Sequence, residues 1–284
     1  MRTPEPSAST DSALLEVDDL RIVFTQYARG LQRRGVVAVD GMHLRVAAGE
    51  LVALVGASGA GKSLLAHAVL GQLPPNAQES GVVRWRGSPV DVAQRRQLAG
   101  REVALLPQSI AHLDPTATVG SQIRRSARLA GLDDAARAAR AALGERGLAP
   151  TVARRYPHEL SGGMGRRVLA AMAMLGSPDL VIADEPTPGL HPDDVTAALD
   201  RLRETADAGS GVLLITHELT AALHVSDRVI VCRGGRTLDQ APSSDFVGEG
   251  ERLGHEYTRA LWQALPANGF RVPELAAVGG EARC

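Results

Sequence analysis

Lys62 is the single lysine among 31 basic residues; the others are arginines. A compact ammonium and a forked guanidinium are not interchangeable in a tight site, so this lysine marks a position where arginine does not fit. It stands in Gly56-Ala57-Ser58-Gly59-Ala60-Gly61-Lys62-Ser63, followed by Leu64, which matches G-x-x-x-x-G-K-[ST]. Glycines let consecutive backbone N–H groups turn inward around phosphate oxygens. The positive end of a following helix adds to that field. Lys62 is then expected to set its charge against the β- and γ-phosphates of a nucleotide, and the Ser63 hydroxyl to reach Mg²⁺. The spacing of Gly56, Gly59 and Gly61 does not suit a dinucleotide loop.

A second group of chemically capable residues closes the apolar run Leu180-Val181-Ile182-Ala183, which ends in Asp184-Glu185-Pro186. At the carboxyl edge of a parallel sheet, Asp184 would face the magnesium shell of a bound nucleotide. Glu185 would stand beside the γ-phosphate, where it can orient and polarise a water. An acidic strand end is common by itself; its pairing with the phosphate loop is what gives it meaning.

These residues need a strand before the glycines and a helix after them. Leu51–Val55 is a short continuous apolar run, as a buried parallel strand should be. A helix is expected from Gly61 to Leu70. Upstream, strands are expected at Leu14–Phe24, Val36–Val39 and Met42–Val46. From Ser109 to Leu175 the pattern turns helical and Ala/Arg-rich, with Asp133 as the expected cap of a helix over Ala135–Leu143 that stops at Gly144. Strand patterns resume at Leu180–Ala183, Val212–Thr216 and Val229–Cys232, separated by helices at Asp193–Asp207 and Leu219–Val225. This alternation predicts an α/β fold with a mainly parallel sheet and a helical insertion.

Bulk composition removes several classes. The 31 basic and 32 acidic residues leave a net charge of -1, which argues against a nucleic-acid partner. No apolar run is long enough for a membrane span. The Pro/Ser/Thr-rich residues 1–12 read as disordered and carry no export signal, which predicts a cytoplasmic chain. Two cysteines, Cys232 and Cys284, make no disulfide framework. The histidines lack metal-ligand spacing.

Leu160-Ser161-Gly162-Gly163-Met164, with Gln108, Asp184-Glu185 and His217, narrows the field. Over residues 14–265 the chain resembles the nucleotide-binding subunits of ATP-binding cassette (ABC) transporters. The resemblance implies a P-loop NTPase (RecA-like) core, an N-terminal antiparallel β subdomain and an inserted helical subdomain at 109–175. Together they form one domain over 13–267, with a closing helix at 251–265 and a loose tail at 268–284. It implies that Phe24, with Tyr27 as the alternative, stacks on adenine. Gln108 matches the residue that senses Mg²⁺ and links core to helical subdomain. Ser161, Gly162 and Gly163 match the signature that closes over nucleotide held by a partner cassette, and His217 matches the switch histidine at the γ-phosphate. A hydroxyl, two glycines and a helix beginning just after them suit that role.

The resemblance also implies partners: two membrane-spanning permease subunits, a second cassette and, indirectly, an extracytoplasmic solute-binding protein, with this chain on the cytoplasmic face of the membrane. Two departures stand out. Met164 replaces the usual glutamine, and His191 replaces the aspartate that usually ends Thr187-Pro188-Gly189-Leu190, which raises the question of a heteromeric pair with unequal sites. Tyr156-Pro157-His158-Glu159-Leu160 and His255-Glu256-Tyr257-Thr258-Arg259-Ala260-Leu261 resemble the oligopeptide, dipeptide and nickel importer branch, with Glu256 in place of a proline. The short stretch after Pro273 and the string Ala264–Phe270 lean toward nickel or metal-chelate importers. The other readings are a soluble ABC-type ATPase acting on nucleic acid or ribosomes, an exporter cassette, and a P-loop kinase, which gives no reason for Leu160–Met164.

Overall fold

The computed structural model describes residues 13–27 and 33–270. The expected disorder at 1–12, and residues 271–284 of the expected tail with Cys284, lie outside the described residues. The chain begins with β1 (Ala13–Tyr27), β2 (Arg33–Ala47), β3 (Leu51–Gly56), α1 (Lys62–Val69), β4 (Ala77–Trp85), β5 (Ser88–Pro89), α2 (Val92–Leu98) and β6 (Val103–Leu106). Next come α3 (Val119–Leu129), α4 (Ala135–Glu145) and α5 (Gly162–Ala173). It then returns to β7 (Leu180–Asp184), α6 (Pro192–Asp207), β8 (Gly211–Thr216), α7 (Leu219–Val225), β9 (Arg228–Arg233), β10 (Arg236–Pro242) and α8 (Glu256–Gln263).

Two sheets result. The first is antiparallel, in the order β2-β1-β4-β5; the second runs β10-β9-β3-β8-β7-β6 and is parallel except for β10. The expected α/β class, with antiparallel subdomain and helical insertion, is borne out. Side chains of successive strand residues point to opposite faces, and in β3, β7 and β8 of the second sheet both faces are buried. Val52, Leu54, Leu180, Ile182, Leu213 and Ile215 join the first sheet and α1 in one apolar cluster. Their neighbours Leu51, Val181, Ala183, Val212 and Leu214 pack under α6. Burial on both sides explains why these strands read as unbroken apolar runs rather than alternating ones.

Some boundaries differ from the sequence reading. Val36–Val39 and Met42–Val46 are one strand, because Gly41, at φ 106°, sits at a shift of register: Leu20 pairs with Met42 but Arg21 with Asp40. One residue bulges out and the ladder continues, while Arg21 and Arg236 both pair with Asp40. α4 is capped by Asp134, not Asp133: the Arg137 N–H donates to Asp134 Oδ1 at 2.9 Å, and Asp134 stands at the register from which a cap reaches the third helical N–H. α4 also runs past Gly144 to Glu145. α8 is shorter than 251–265; it starts after His255, whose Nδ1 accepts from the Tyr257 N–H, while the Trp262 indole N–H holds the Gly248 carbonyl in the loop before it. β4, β5, α2 and β10 have no counterpart in the sequence reading.

The helical insertion keeps a core of its own. Leu113, Val119, Ile123, Leu143, Val168 and Leu169 gather among α3, α4 and α5. β6 leads into this arm and the turn after α5 leads out of it to β7.

Candidate active site

β3 delivers the phosphate loop at the carboxyl edge of the parallel sheet. A Cβ on Gly56 would lie 2.4 Å from the Cys232 carbonyl oxygen and 2.6 Å from its Sγ, so β9 leaves room for glycine alone. Gly61 takes φ 85°, and a Cβ there would lie 2.8 Å from the Val39 side chain. Lys62 opens α1 and is 5% exposed. Its Nζ donates to the carbonyls of Gly56 at 2.7 Å and Ala57 at 3.1 Å. The loop thus curls around its own ammonium. Beneath it, burial pushes the Cys232 thiol up to about 11.

β7 carries the acidic pair to the same edge, beside β8. The Ser63 hydroxyl donates to Asp184 Oδ1 at 3.1 Å. Burial raises the Asp184 carboxyl above the ordinary aspartate range; Glu185 adds to this, while Ser63, His67 and Lys62 oppose it. A hydroxyl and a carboxylate oxygen side by side suit Mg²⁺, which takes few protein oxygens and completes its shell with phosphate and water. Ser63 and Asp184 would hold the ion, which supplies Lewis-acid neutralisation of the phosphate oxygens when bound.

Glu185 follows with φ 43°, a left-handed conformation uncommon outside glycine. Its N–H donates to the Ile215 carbonyl at 2.8 Å, which fixes the residue to β8. Gln108 Nε2 donates to Glu185 Oε2 at 3.0 Å, and His217 Nδ1 lies 3.1 Å from Glu185 Oε1. Two residues distant in the chain, Gln108 and His217, thus converge on the Glu185 carboxylate. Strained backbone of this kind persists where the surroundings over-determine it, often at functional sites.

A cavity of 530 Å³ lies over the loop, lined by Ser58–Leu64 with Gln108 and Glu185. Phe24 and Ser161–Gly163 do not line it. Phe24 is partly buried against the main apolar cluster. Ser161 caps α5, its Oγ accepting from the Met164 N–H at 3.3 Å. The helix begins at Gly162 itself, so the signature glycines form its first turn rather than preceding it, and both are exposed.

A family model for ABC transporters matches residues 39–188, from β2 to just past the acidic pair. The chain belongs to the ABC transporter family. This cassette is an ATPase, and its relatives include peptide and oligopeptide transport ATP-binding proteins. It is 35% identical to a probable peptide ABC transporter ATP-binding protein of Sinorhizobium fredii, over 93% of the cassette and 82% of that protein. It is 39% identical to an oligopeptide transport ATP-binding protein, OppD, of Mycobacterium tuberculosis, over 90% of the cassette but 42% of the longer OppD. A solved ATP-binding subunit of an ABC transporter aligns with a TM-score of 0.66 at 29% identity, covering 82% of the cassette and 91% of that chain. The dimeric, post-hydrolysis cassette MJ0796 bound to ADP and Pi aligns at 0.68 and 21% identity, over 81% and 98%, which supports the fold.

The cassette also uses residues that the sequence reading passed over. Val37, Ala38 and Gly234 line the cavity over the phosphate loop. Val37, 47% exposed on β2, reads in sequence as an ordinary residue of the expected Val36–Val39 strand, and nothing local sets it beside the phosphate loop. Arg166, on α5, donates to the Pro188 carbonyl and so ties the signature helix to the loop after β7. Among the described residues no helix is long and apolar enough to cross a membrane.

Proposed function

We propose that this cassette couples ATP hydrolysis to the import of peptides by a membrane permease. The observation that carries the reading is the meeting of Gln108 and His217 on Glu185 beside the Ser63–Asp184 pair. Glu185 orients and polarises the water that attacks the γ-phosphorus. Lys62 and the inward amides of Gly56–Leu64 hold the β- and γ-phosphates. His217 contacts the γ-phosphate, and Gln108 reports the Mg²⁺ shell to the helical arm. Phe24 stacks on adenine; its partly buried ring then has to present an edge or face at the end of β1. The permease class rests on the peptide and oligopeptide relatives, and the lean toward nickel or metal chelates rests on the strings Ala264–Phe270 and Thr187–Leu190.

Two cassettes close on two ATP molecules, each signature covering its partner's nucleotide. The exposure of Ser161–Gly163, away from the cavity over their own phosphate loop, supports this arrangement. Two permease subunits hold the pair at the cytoplasmic face, and a solute-binding protein acts on the far side. Hydrolysis then releases an ATP-held dimer, a two-state element biased by one phosphate. Mixed dimers test the composite site. Ser161→Ala in one protomer should silence the partner's nucleotide while leaving its own hydrolysed, and loss confined to the altered protomer's own site would refute it. A screen of short peptides against free and chelated nickel on the associated binding protein decides the solute; saturable nickel binding alone would overturn the peptide reading.

A further inference from the structure

A second cavity, of 410 Å³, lies between the helical arm and the core. The ends of α4 and α5 form one side of it and α6 the other. Four arginines line it, Arg146, Arg166, Arg167 and Arg201, against two acids, Glu145 and Asp194. Much of the remaining wall is aliphatic, from Leu169, Ala170, Ala197 and Ala198. The volume lies in the range of small-molecule clefts.

The charges in this cleft are poorly matched. Arg166 Nη2 donates to the Pro188 carbonyl, but its Nη1 is buried and, among the described residues, has no hydrogen-bond partner. Burial and the like charge of Arg201 both pull the Arg146 guanidinium below its ordinary range; Glu145 and Glu204 only partly oppose them. Withdrawing a guanidinium from water beside another cation is costly unless an anion joins them.

We propose that this cleft binds a small organic anion of the phosphomonoester class, its apolar body against α5 and α6 and its charged end met by Arg146, Arg166 and Arg201. A dianion answers the arginine excess where a single carboxylate does not, and forked guanidiniums match phosphate oxygens in pairs. Such a ligand touches the arm through Arg146 and Arg166 and the core through Arg201. Binding therefore favours one angle of the arm, and with it one position of Gln108, which lines both cavities. The site does not depend on which solute is transported.

Phenyl phosphate is the probe, titrated calorimetrically into the full-length chain carrying Lys62→Ala, so that the phosphate loop does not compete. One saturable site is expected. Arg146→Gln and Arg201→Gln should each weaken it about tenfold or more, the loss of one charge-assisted contact. Arg201 is an exposed helical position, so its substitution leaves folding intact. Phenol, with the same ring and no phosphate, should not bind. Absence of saturation up to about 10 mM, unchanged affinity in Arg201→Gln, or equal binding of phenol would each overturn the proposal.

Discussion

Glu185→Gln separates chemistry from structure in this cassette. Glutamine is nearly isosteric with glutamate, and its carbonyl oxygen can still accept the 3.0 Å hydrogen bond from Gln108. The contact with His217 loses its charge. That pair is partly open to water, with His217 45% exposed and Glu185 14%, so its contribution is about 0–1 kcal/mol. ATP affinity should therefore move by no more than about fivefold. Loss of a positioned general base costs about 10²- to 10⁴-fold in turnover, or about 2.7–5.4 kcal/mol of barrier. The two effects differ enough to be told apart. Equilibrium nucleotide binding measures the first, and phosphate release at saturating Mg²⁺·ATP the second. ATP should also hold the variant as a dimer on a sizing column. The backbone offers a control. At φ 43° any L-residue carries about 1–2 kcal/mol of strain that glycine lacks, so Glu185→Gly should melt above Glu185→Ala while both are inactive. Turnover of Glu185→Gln within about tenfold of the parent would refute the assignment, whatever its affinity.

Further outcomes follow at Asp184, at Cys232 and at the start of α4. Asp184 is raised by burial, so the folded cassette disfavours its charged form. Its effect on stability is favourable at low pH and is lost as pH rises through the raised value; Asp184→Asn should therefore melt higher at neutral pH without nucleotide, yet lose Mg²⁺-dependent ATP binding. In the parent, that binding should weaken as pH falls toward the raised value, because proton and cation compete for one carboxylate. Cys232, with its thiol pushed up to about 11 under the phosphate loop, should resist alkylation at neutral pH in a Cys284→Ala background and react fully in denaturant; rapid labelling of the native chain would contradict its burial. Asp134→Ala should cost about 1 kcal/mol of stability and Asp133→Ala almost nothing, read by thermal melting of the two variants side by side.

The strongest chemistry was visible in the chain before folding. Gly56–Ser63 and Asp184-Glu185 sit where apolar runs stop, and a strand buried on both faces announces itself by an unbroken run of Val, Leu and Ile. Gln108 and His217 were legible only through resemblance; nothing local predicts that either side chain reaches Glu185. The Asp40-Gly41 pair read as a break because turn residues look alike whether they reverse a chain or bulge a ladder, and the pairing that decides between them lies on β1 and β10. β4 was missed for a related reason: Gln78, Glu79, Ser80 and Gly81 interrupt its apolar pattern, and its strand character comes from pairing with β1. The arginine-lined cleft was illegible altogether. Arg166 and Arg201 sit on two helices and Arg146 just past the end of a third, and only the packing of arm against core makes them neighbours.

The separate apolar cluster of α3, α4 and α5 has a consequence for how such chains can diversify. Because the arm satisfies its own interior, residues on its outer side can be exchanged without disturbing the strands that carry Lys62, Asp184 and Glu185. Substitutions on the outer side of α3 and α4 should therefore leave the phosphate loop and the acidic pair in place.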